Sequence, residues 1–403
     1  MSYSSGIVSL FHVPGCLVRD VEVTSTEILV HVRKRRITAV CPQCGKRTGV
    51  VHQRHIRKLL HTLVGTVKVF LLLTRRRFVC SSCNLIFAED LSFLDGRKRR
   101  TKQLAESIVS RLKKESFRST TEAIGVSYAG LRDCLIHVVD PFMPNWSEKE
   151  RSHPFSLGID EHYARRNRYV LSVTNLTARK PITFLPSDRI PLLVRFLRSI
   201  PPEVQANIEE VCCDMKEGFI QTALRELPKA TVVIDHFHVI QDANNRVQEA
   251  RKIEQYVARA HINWKVFTKN EEHLSPAEHR VLHIYCQSYP ILHCFWRVKE
   301  ELRDIYRSPT RDHAAEKLKH LRLRMEALDI IELKLWARSL RRHEPYILNF
   351  WNNKTTNAYT EGIHVKCKLT QRISFGFRNI DVYIRKAMLA FLPLAALLNY
   401  HRY

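Results

Sequence analysis

Four acidic residues lie where one predicted element gives way to the next, and their positions suit metal chemistry. Asp160, Asp214 and Asp235 each follow a short apolar run typical of a buried strand, and Glu361 lies near the start of a helical pattern. Carboxylates are the protein ligands that Mg²⁺ and Mn²⁺ prefer. Two of them at one sheet end can hold two ions roughly 3.5–4 Å apart, the spacing used in phosphodiester chemistry.

An aspartate at a strand end is often only a turn residue, so the surrounding elements decide the argument. The predicted order is β-β-β-α-β-α-β, with strands at 155–159, 169–173, 182–185, 208–213 and 231–234 and helices at 192–200 and 217–227. This is the layout of an RNase H-like α/β domain, in which the first and fourth strands are neighbours. Topology therefore favours Asp160 with Asp214, and Asp235 remains an alternative second acid.

The third acid is expected from a later helix. Residues 241–350 read as nearly continuous amphipathic helix and predict an all-helical insertion. Beyond this segment, Glu361, Lys368 and Arg372 fall on one helical face. Such a face places one acid beside two bases, so it could complete a metal site and bind the adjacent phosphates.

Two CxxC pairs predict a zinc site in the first hundred residues. Cys41 and Cys44 form one pair, Cys80 and Cys83 form the other, and 35 residues separate them. Four thiolates on two tight turns complete a tetrahedral Zn²⁺ shell. Between the pairs, alternating runs at 66–73 and 75–79 predict a hairpin that brings the second pair back to the first.

Other interpretations of the cysteines are weaker. His52, His55 and His61 are rival ligands, but a histidine in a basic loop is more often surface or a DNA contact. A redox pair is disfavoured because neither CxxC lies between a strand and a helix. Many Arg and Lys residues flank both pairs, which indicates a nucleic-acid-binding module.

A helix-turn-helix is predicted after the basic run Arg97, Lys98, Arg99 and Arg100. Residues 101–114 have the spacing of an amphipathic helix. A capping box is then expected from Ser119 and Glu122, with a turn at Gly125. The following helix would present Tyr128 and Arg132 to a DNA major groove.

Composition agrees with a globular protein of a reducing compartment that binds a polyanion. The 403 residues carry 65 Lys and Arg against 40 Asp and Glu, a formal charge of +25 that favours a polyanionic partner. Neither GxGxxG nor GxxxxGK[ST] occurs, which argues against dinucleotide enzymes and P-loop ATPases. We see no secretory signal and no apolar run long enough for a bilayer, so the expected location is the cytosol.

Several motifs together resemble the ISL3 family of bacterial insertion-sequence transposases over nearly the whole chain. They are the two CxxC pairs, the helix-turn-helix, and the segments 158–161, 213–215, 235–239 and 356–362. The resemblance implies a DDE transposase that binds terminal inverted repeats and joins 3′-OH ends to target DNA. It also implies a supporting role for His238, a terminal-phosphate contact for Lys368, and a location in the bacterial cytoplasm, at the nucleoid.

The predicted fold class is α+β and multidomain. The expected segments are a zinc-binding DNA-recognition module at 1–95, a helix-turn-helix region at 96–150, an RNase H-like core at 151–245, a helical insertion at 246–350, and C-terminal core helices at 351–403. Asp160, Asp214 and Glu361 would bind two Mg²⁺ or Mn²⁺ ions, and the four cysteines would bind Zn²⁺. The expected partner is double-stranded DNA, bound by a homodimer or a larger synaptic complex.

Two other functions fit the same motifs. One is a zinc and helix-turn-helix regulator whose C-terminal half is catalytically inactive. The other is an RNase H-like DNA nuclease that cuts without joining.

Overall fold

The structure, a computed structural model, describes residues 13, 15–94, 100–165, 168–393 and 395. The chain divides into two compact units, residues 1–141 with 369–403 and residues 142–368. The predicted zinc module lies in the first unit with most of the helix-turn-helix segment. The second unit holds the predicted strands and the helical segment, and the predicted C-terminal segment 351–403 is divided between the two units.

The described residues form β-strands and α-helices with the following bounds. The strands are β1 (Cys16–Val23), β2 (Glu27–Lys34), β3 (Ala39–Val40), β4 (Arg47–Thr48), β5 (Val51–Val64), β6 (Val67–Val79), β7 (Ile86–Ala88), β8 (Phe155–Arg165), β9 (Arg168–Asn175), β10 (Lys180–Leu185), β11 (Ile208–Cys213) and β12 (Thr231–Ile234). The helices are α1 (Lys102–Leu112), α2 (Phe117–Ile124), α3 (Tyr128–Val139), α4 (Glu148–Ser152), α5 (Ile190–Arg198), α6 (Pro202–Gln205), α7 (Glu217–Glu226), α8 (His236–Ala258), α9 (Lys265–Thr268), α10 (Pro276–Ser288), α11 (Pro290–Tyr306), α12 (Arg311–Ala327), α13 (Ile331–Leu348), α14 (Phe350–Asn353), α15 (Ala358–Ile373) and α16 (Ile380–Phe391).

A mixed sheet in the first unit has the order β1-β2-β6-β5, with β7 also paired to β6. Alternate residues of β6, among them Val69, Leu71 and Leu73, are buried and give the sheet one apolar face. The predicted hairpin at 66–79 is wrong, because its two arms form the single strand β6 and do not pair with each other. The actual partner is β5, whose first half is exposed and basic and therefore lacks an apolar alternation.

The helices α1, α2 and α3 lie in the first unit, where the sequence predicts a helix-turn-helix. Ser116 accepts a hydrogen bond from the N–H of Ser119 at 3.0 Å and caps α2. The predicted cap Ser119 is therefore wrong, since it lies inside the helix. Gly125 ends α2 at a φ of +71°, a left-handed conformation that suits glycine, and Ser127 caps α3.

The second unit is built on a sheet of order β10-β9-β8-β11-β12. Strands β8, β9 and β10 pair antiparallel, whereas β8, β11 and β12 run parallel. The buried residues of β8 and β11 are nearly continuous along the strand, as expected where helices cover both faces. The five strands occur where the sequence predicts them.

The helices from α8 to α14 share one hydrophobic core with this sheet. Val239, Ala243 and Val247 on α8 are buried in the same cluster as Leu292 on α11 and Trp336 on α13. Ser275 caps α10, and prolines open α10 and α11, as the sequence breaks indicate. No helix in the described part of the chain has the length and apolar character needed to cross a bilayer.

Candidate functional site

Parallel strands bring three of the predicted acids to one edge of the second sheet. Cys212 on β11 lies opposite Gly158 on β8, so the register places Asp214 level with Asp160. Strand β12 continues the parallel set on the far side of β11 and ends immediately before Asp235. Asp160, Asp214 and Asp235 thus lie where the parallel pairing of β8, β11 and β12 ends.

The imidazole of His238 lies between Asp160 and Asp214. Its Nε2 is 3.5 Å from Asp160 Oδ1, and its Nδ1 is 3.5 Å from Asp214 Oδ1. Burial acts to lower the pKa of His238, but hydrogen bonding to Asp160 and the charges of Asp214 and Asp160 raise it to about 9. A positive charge is therefore held between the two carboxylates.

Asp160 is the most enclosed member of this group. It is 1 % exposed, and its Oδ2 has no hydrogen-bond partner among the described residues. Burial opposes ionisation of Asp160, yet His238 and His364 together hold its pKa below the usual value. An ionised, buried oxygen without a partner is costly unless a cation or donor satisfies it, so this atom suits a metal ion.

Asp214 and Asp235 differ in access. The side chain of Asp214 is 21 % exposed, and it lines an open cavity of about 420 Å³ with Lys216, His238 and residues of α8 and α13. Asp235 is 1 % exposed, and neither of its carboxylate oxygens has a hydrogen-bond partner within the described chain. Its Oδ1 lies 3.4 Å from His236 Nδ1.

Helix α15 supplies two further groups, Glu361 and His364. Nδ1 of His364 lies 3.8 Å from Asp160 Oδ2 and 4.0 Å from Glu361 Oε2. One ligand atom from each of Asp160, Glu361 and His364 falls within 4.8 Å of the other two. Burial and the neighbouring charge of Asp160 raise the pKa of Glu361. The sequence predicts Glu361 here but not His364, although the Glu-x-x-His spacing was a usable signal.

Buried polar contacts fix the start of α15 against the sheet. The Asn357 amide donates to the backbone carbonyls of Ile159 at 3.2 Å and Cys212 at 3.4 Å, one on each central strand. The hydroxyls of Thr360 and Thr174 are 2.8 Å apart. These contacts hold the helix that carries Glu361 directly over the strand ends.

A second set of polar side chains anchors the segment before α15. Glu210 is 2 % exposed on β11, and its Oε1 accepts a 2.8 Å hydrogen bond from the Asn353 amide. The Thr355 hydroxyl donates to the other carboxylate oxygen of Glu210. No local sequence pattern points to these residues, because their partners lie more than a hundred positions away in the chain.

The four predicted zinc ligands form one cluster. The Sγ of Cys41 is 3.6 Å from that of Cys83, and the Sγ of Cys44 is 3.4 Å from that of Cys80. Sulfur ligands of a tetrahedral Zn²⁺ are about 3.8 Å apart, so the cluster fits the ion. Backbone N–H groups of Ser82 and Cys83 lower the pKa of Cys80 to about 6, which favours the thiolate.

The rival histidine ligands do not join this cluster. Within the described residues, the metal-compatible group at this end consists of the four cysteines. His61 is buried, and its Nδ1 lies 3.1 Å from the hydroxyl of Thr101. His61 therefore belongs to the core of the first unit.

The predicted DNA contacts fall into three groups. Tyr128 and Arg132 are exposed on α3, and Lys368 and Arg372 are exposed on α15. Arg100 is 8 % exposed and donates to Gly130 O at 3.1 Å, so its guanidinium holds α3 in place. Arg97, Lys98 and Arg99 lie outside the described residues.

Known transposases are similar in sequence to this chain. A family model for ISL3 transposases matches residues 157–387, and a model described as the zinc-finger of transposase IS204/IS1001/IS1096/IS1165 matches residues 37–83. The transposase for insertion sequence element IS1001 of Bordetella parapertussis is 22% identical over 375 residues, which cover 90% of this chain and 91% of the relative. The transposase for IS1557 of Mycobacterium tuberculosis is 23% identical over 265 residues, 58% of this chain and 59% of the relative.

Proposed function

This chain belongs to the ISL3 family of transposases, and from that premise we propose that it is a DDE enzyme that cuts insertion-sequence ends and joins them to target DNA. The observation that carries the proposal is the grouping of Asp160 and Glu361 around a buried Asp160 oxygen that has no hydrogen-bond partner in the described chain, with Asp214 on the other side of the His238 imidazole from Asp160. That oxygen supports the assignment of a divalent cation to the site.

The fold supports the same reading. The sheet order β10-β9-β8-β11-β12, with three antiparallel and three parallel strands sharing β8, is the strand order 3-2-1-4-5 of an RNase H-like domain. We assign α8 to α14 as a helical insertion between the fifth strand and α15. In this arrangement the catalytic acids come from β8, β11 and α15.

Each side chain has a defined task in this mechanism. Asp160, Asp214 and Glu361 would hold two Mg²⁺ or Mn²⁺ ions, and these ions would supply charge neutralisation and an activated oxygen for phosphodiester cleavage and transfer. Lys368 and Arg372 bind phosphates of the DNA end. His238 orients Asp160 and Asp214, and Asp235 is the alternative second acid.

DNA recognition is assigned to the first unit. We infer that the Zn²⁺-bound ribbon and the α2–α3 helix-turn-helix, with Tyr128 and Arg132, bind the terminal inverted repeats. The charge of +25 makes the affinity for double-stranded DNA fall steeply with salt. Cutting two ends together requires a homodimer or larger synaptic complex, formed on the chromosome in the cytoplasm.

A strand-transfer assay tests the proposal. The full-length protein, a DNA carrying the element's ends and Mg²⁺ should give end cleavage and joined products. Asp160→Ala should lower both by about a thousandfold or more, since it removes a metal ligand at the reacting phosphate. Asp329→Ala, a change at a fully exposed acid of the same unit, is the matched control.

Two results would contradict this proposal. Sequence-specific binding to the ends without any cleavage would indicate a regulator. Cleavage without joined products would indicate a nuclease.

A further inference from the structure

We propose that His364 is a metal ligand, and that it forms with Asp160 and Glu361 a mixed nitrogen and oxygen site that favours Mn²⁺ over Mg²⁺. The proposal deepens the proposed function, on which it rests for the role of the ion in DNA cleavage. It adds a nitrogen donor to a site otherwise made of carboxylates.

The first support is the position of the imidazole. His364 lies one helical turn beyond Glu361 on α15, so both side chains leave the same face of the helix. Its Nδ1 is within 4.0 Å of Glu361 Oε2 and 3.8 Å of Asp160 Oδ2. Ligands around one such ion are about 3 Å apart, so each of these two distances must shorten by about 1 Å on binding.

The second support is the unpartnered oxygen at the centre of the group. Asp160 Oδ2, which has no hydrogen-bond partner among the described residues, is the Asp160 atom that faces His364. A core histidine with a structural task would be expected to donate to this oxygen, yet 3.8 Å exceeds a hydrogen bond. A bridging cation would satisfy both atoms once this distance shortens by about 1 Å.

The third support is the opposite side of the ring. His364 is 4 % exposed, and its Nε2 is 3.0 Å from the Ser172 hydroxyl, which is 3.1 Å from His162 Nδ1. Metal-bound histidines characteristically use their second nitrogen in such a contact, which fixes the tautomer and the ring orientation. Ser172 and His162 therefore act as positioning residues that leave Nδ1 directed at the acids.

The chemistry of the donor set determines the preferred ion. Mg²⁺ binds almost entirely through oxygen and keeps several waters, whereas imidazole suits transition-metal ions. Paired carboxylates with a Glu-x-x-His motif are the donors of di-manganese and di-iron centres in helical bundles. Nitrogen from His364 thus shifts the selectivity of this site towards Mn²⁺.

Pulsed electron paramagnetic resonance of bound Mn²⁺ tests the proposal on the zinc-replete, full-length protein without DNA. At less than one equivalent of Mn²⁺, the wild type should show modulation from a directly bound ¹⁴N. His364→Gln retains a side-chain amide for Ser172 and should abolish that signal. It should also weaken Mn²⁺ binding by on the order of tenfold or more in calorimetry, with a smaller effect on Mg²⁺.

His238→Gln is the matched control, because His238 is the other imidazole that faces Asp160. The proposal holds if the nitrogen signal persists in His238→Gln and disappears in His364→Gln. It is overturned if the wild type shows no nitrogen signal, or if the signal follows His238. If the wild-type protein shows the His364 nitrogen signal but no strand transfer, the transposase function is overturned and the proposed metal site is retained.

Discussion

Asn357 packs against Gly158 so closely that a Cβ on the glycine would lie 2.7 Å from Asn357 Oδ1. Asn357 also donates to the backbone carbonyls that flank this contact on β8 and β11. The absent side chain at position 158 is what lets α15 approach the strand that carries Asp160. The two residues thus set the distance between Glu361 and Asp160.

Gly158→Ala should therefore disturb the candidate metal site by displacing Asn357 and the start of α15. The new methyl group meets the buried atoms of Asn357, Thr174 and Leu176, and overpacking of this kind costs about 1–3 kcal/mol. We expect a lower midpoint of urea unfolding and weaker Mn²⁺ binding. The control is Gly362→Ala on α15, which meets no atom within 4 Å and should be neutral or stabilising. Equal effects of the two changes would contradict the role given to Gly158.

The second acid can be identified by comparing two amide variants. Asp214→Asn should lower strand transfer by about a hundredfold or more, because Asp214 lies level with Asp160 and opens to the cavity. Asp235→Asn should retain most activity and fold well, since neither carboxylate oxygen of Asp235 has a hydrogen-bond partner among the described residues that the change would remove. The reverse order of activities in a time course would make Asp235 the second acid.

Removing zinc should disable DNA recognition while sparing the acidic site. Cys80→Ser breaks the four-sulfur cluster, so we expect loss of one zinc per chain and of specific binding to the DNA ends. Mn²⁺ binding by the second unit should be unchanged. Cys286→Ser changes a half-buried thiol outside the cluster and serves as the control. Full zinc content in Cys80→Ser would exclude the assigned ligand set.

The first unit should lose stability in mild acid through His61. Burial lowers the pKa of this histidine to about 4, whereas the unfolded chain has a value near 6.5. The unfolded state therefore takes up the proton first, so stability is complete above about pH 6.5 and falls as the pH drops towards 4. The maximum loss is about 3 kcal/mol.

His61→Gln separates this effect from other acid-sensitive groups. Glutamine does not titrate and can still bond to the Thr101 hydroxyl. Urea unfolding at pH 7 and pH 5 should show a smaller drop for the variant than for the wild type. Identical drops would rule out His61 as the source.

Local patterns in the sequence predict much of the second unit but little of its internal bonding. The five strands are buried runs, and Asp214 and Asp235 directly follow β11 and β12, so their positions were visible. Asp160 lies inside β8, which continues to Arg165 beyond the predicted end of the strand. The role of Asn357 was not visible, because it depends on carbonyls of Ile159 and Cys212 far away in the chain. His364 was overlooked because it also reads as an ordinary position on an amphipathic helix.

The first unit shows the opposite limit. The CxxC spacing predicts the zinc cluster directly, since four sulfurs in two tight turns suffice to define it. The sheet around the cluster was not predicted, because much of β1 and β5 is exposed and polar. A strand whose outer residues face solvent lacks the apolar alternation that identifies it.

The hairpin of β5 and β6 has a consequence for how the first unit holds together. Its two long strands lie within the 35 residues between Cys44 and Cys80, so the sulfur cluster closes this loop at its open end. A bound Zn²⁺ then acts as a reversible cross-link that restricts the unfolded chain. For a loop of this length, a covalent link would be worth about 4 kcal/mol in chain entropy. Zn²⁺ bound to the four cysteines would thus reduce the conformational freedom of the unfolded hairpin, and chelation of the ion would restore that freedom.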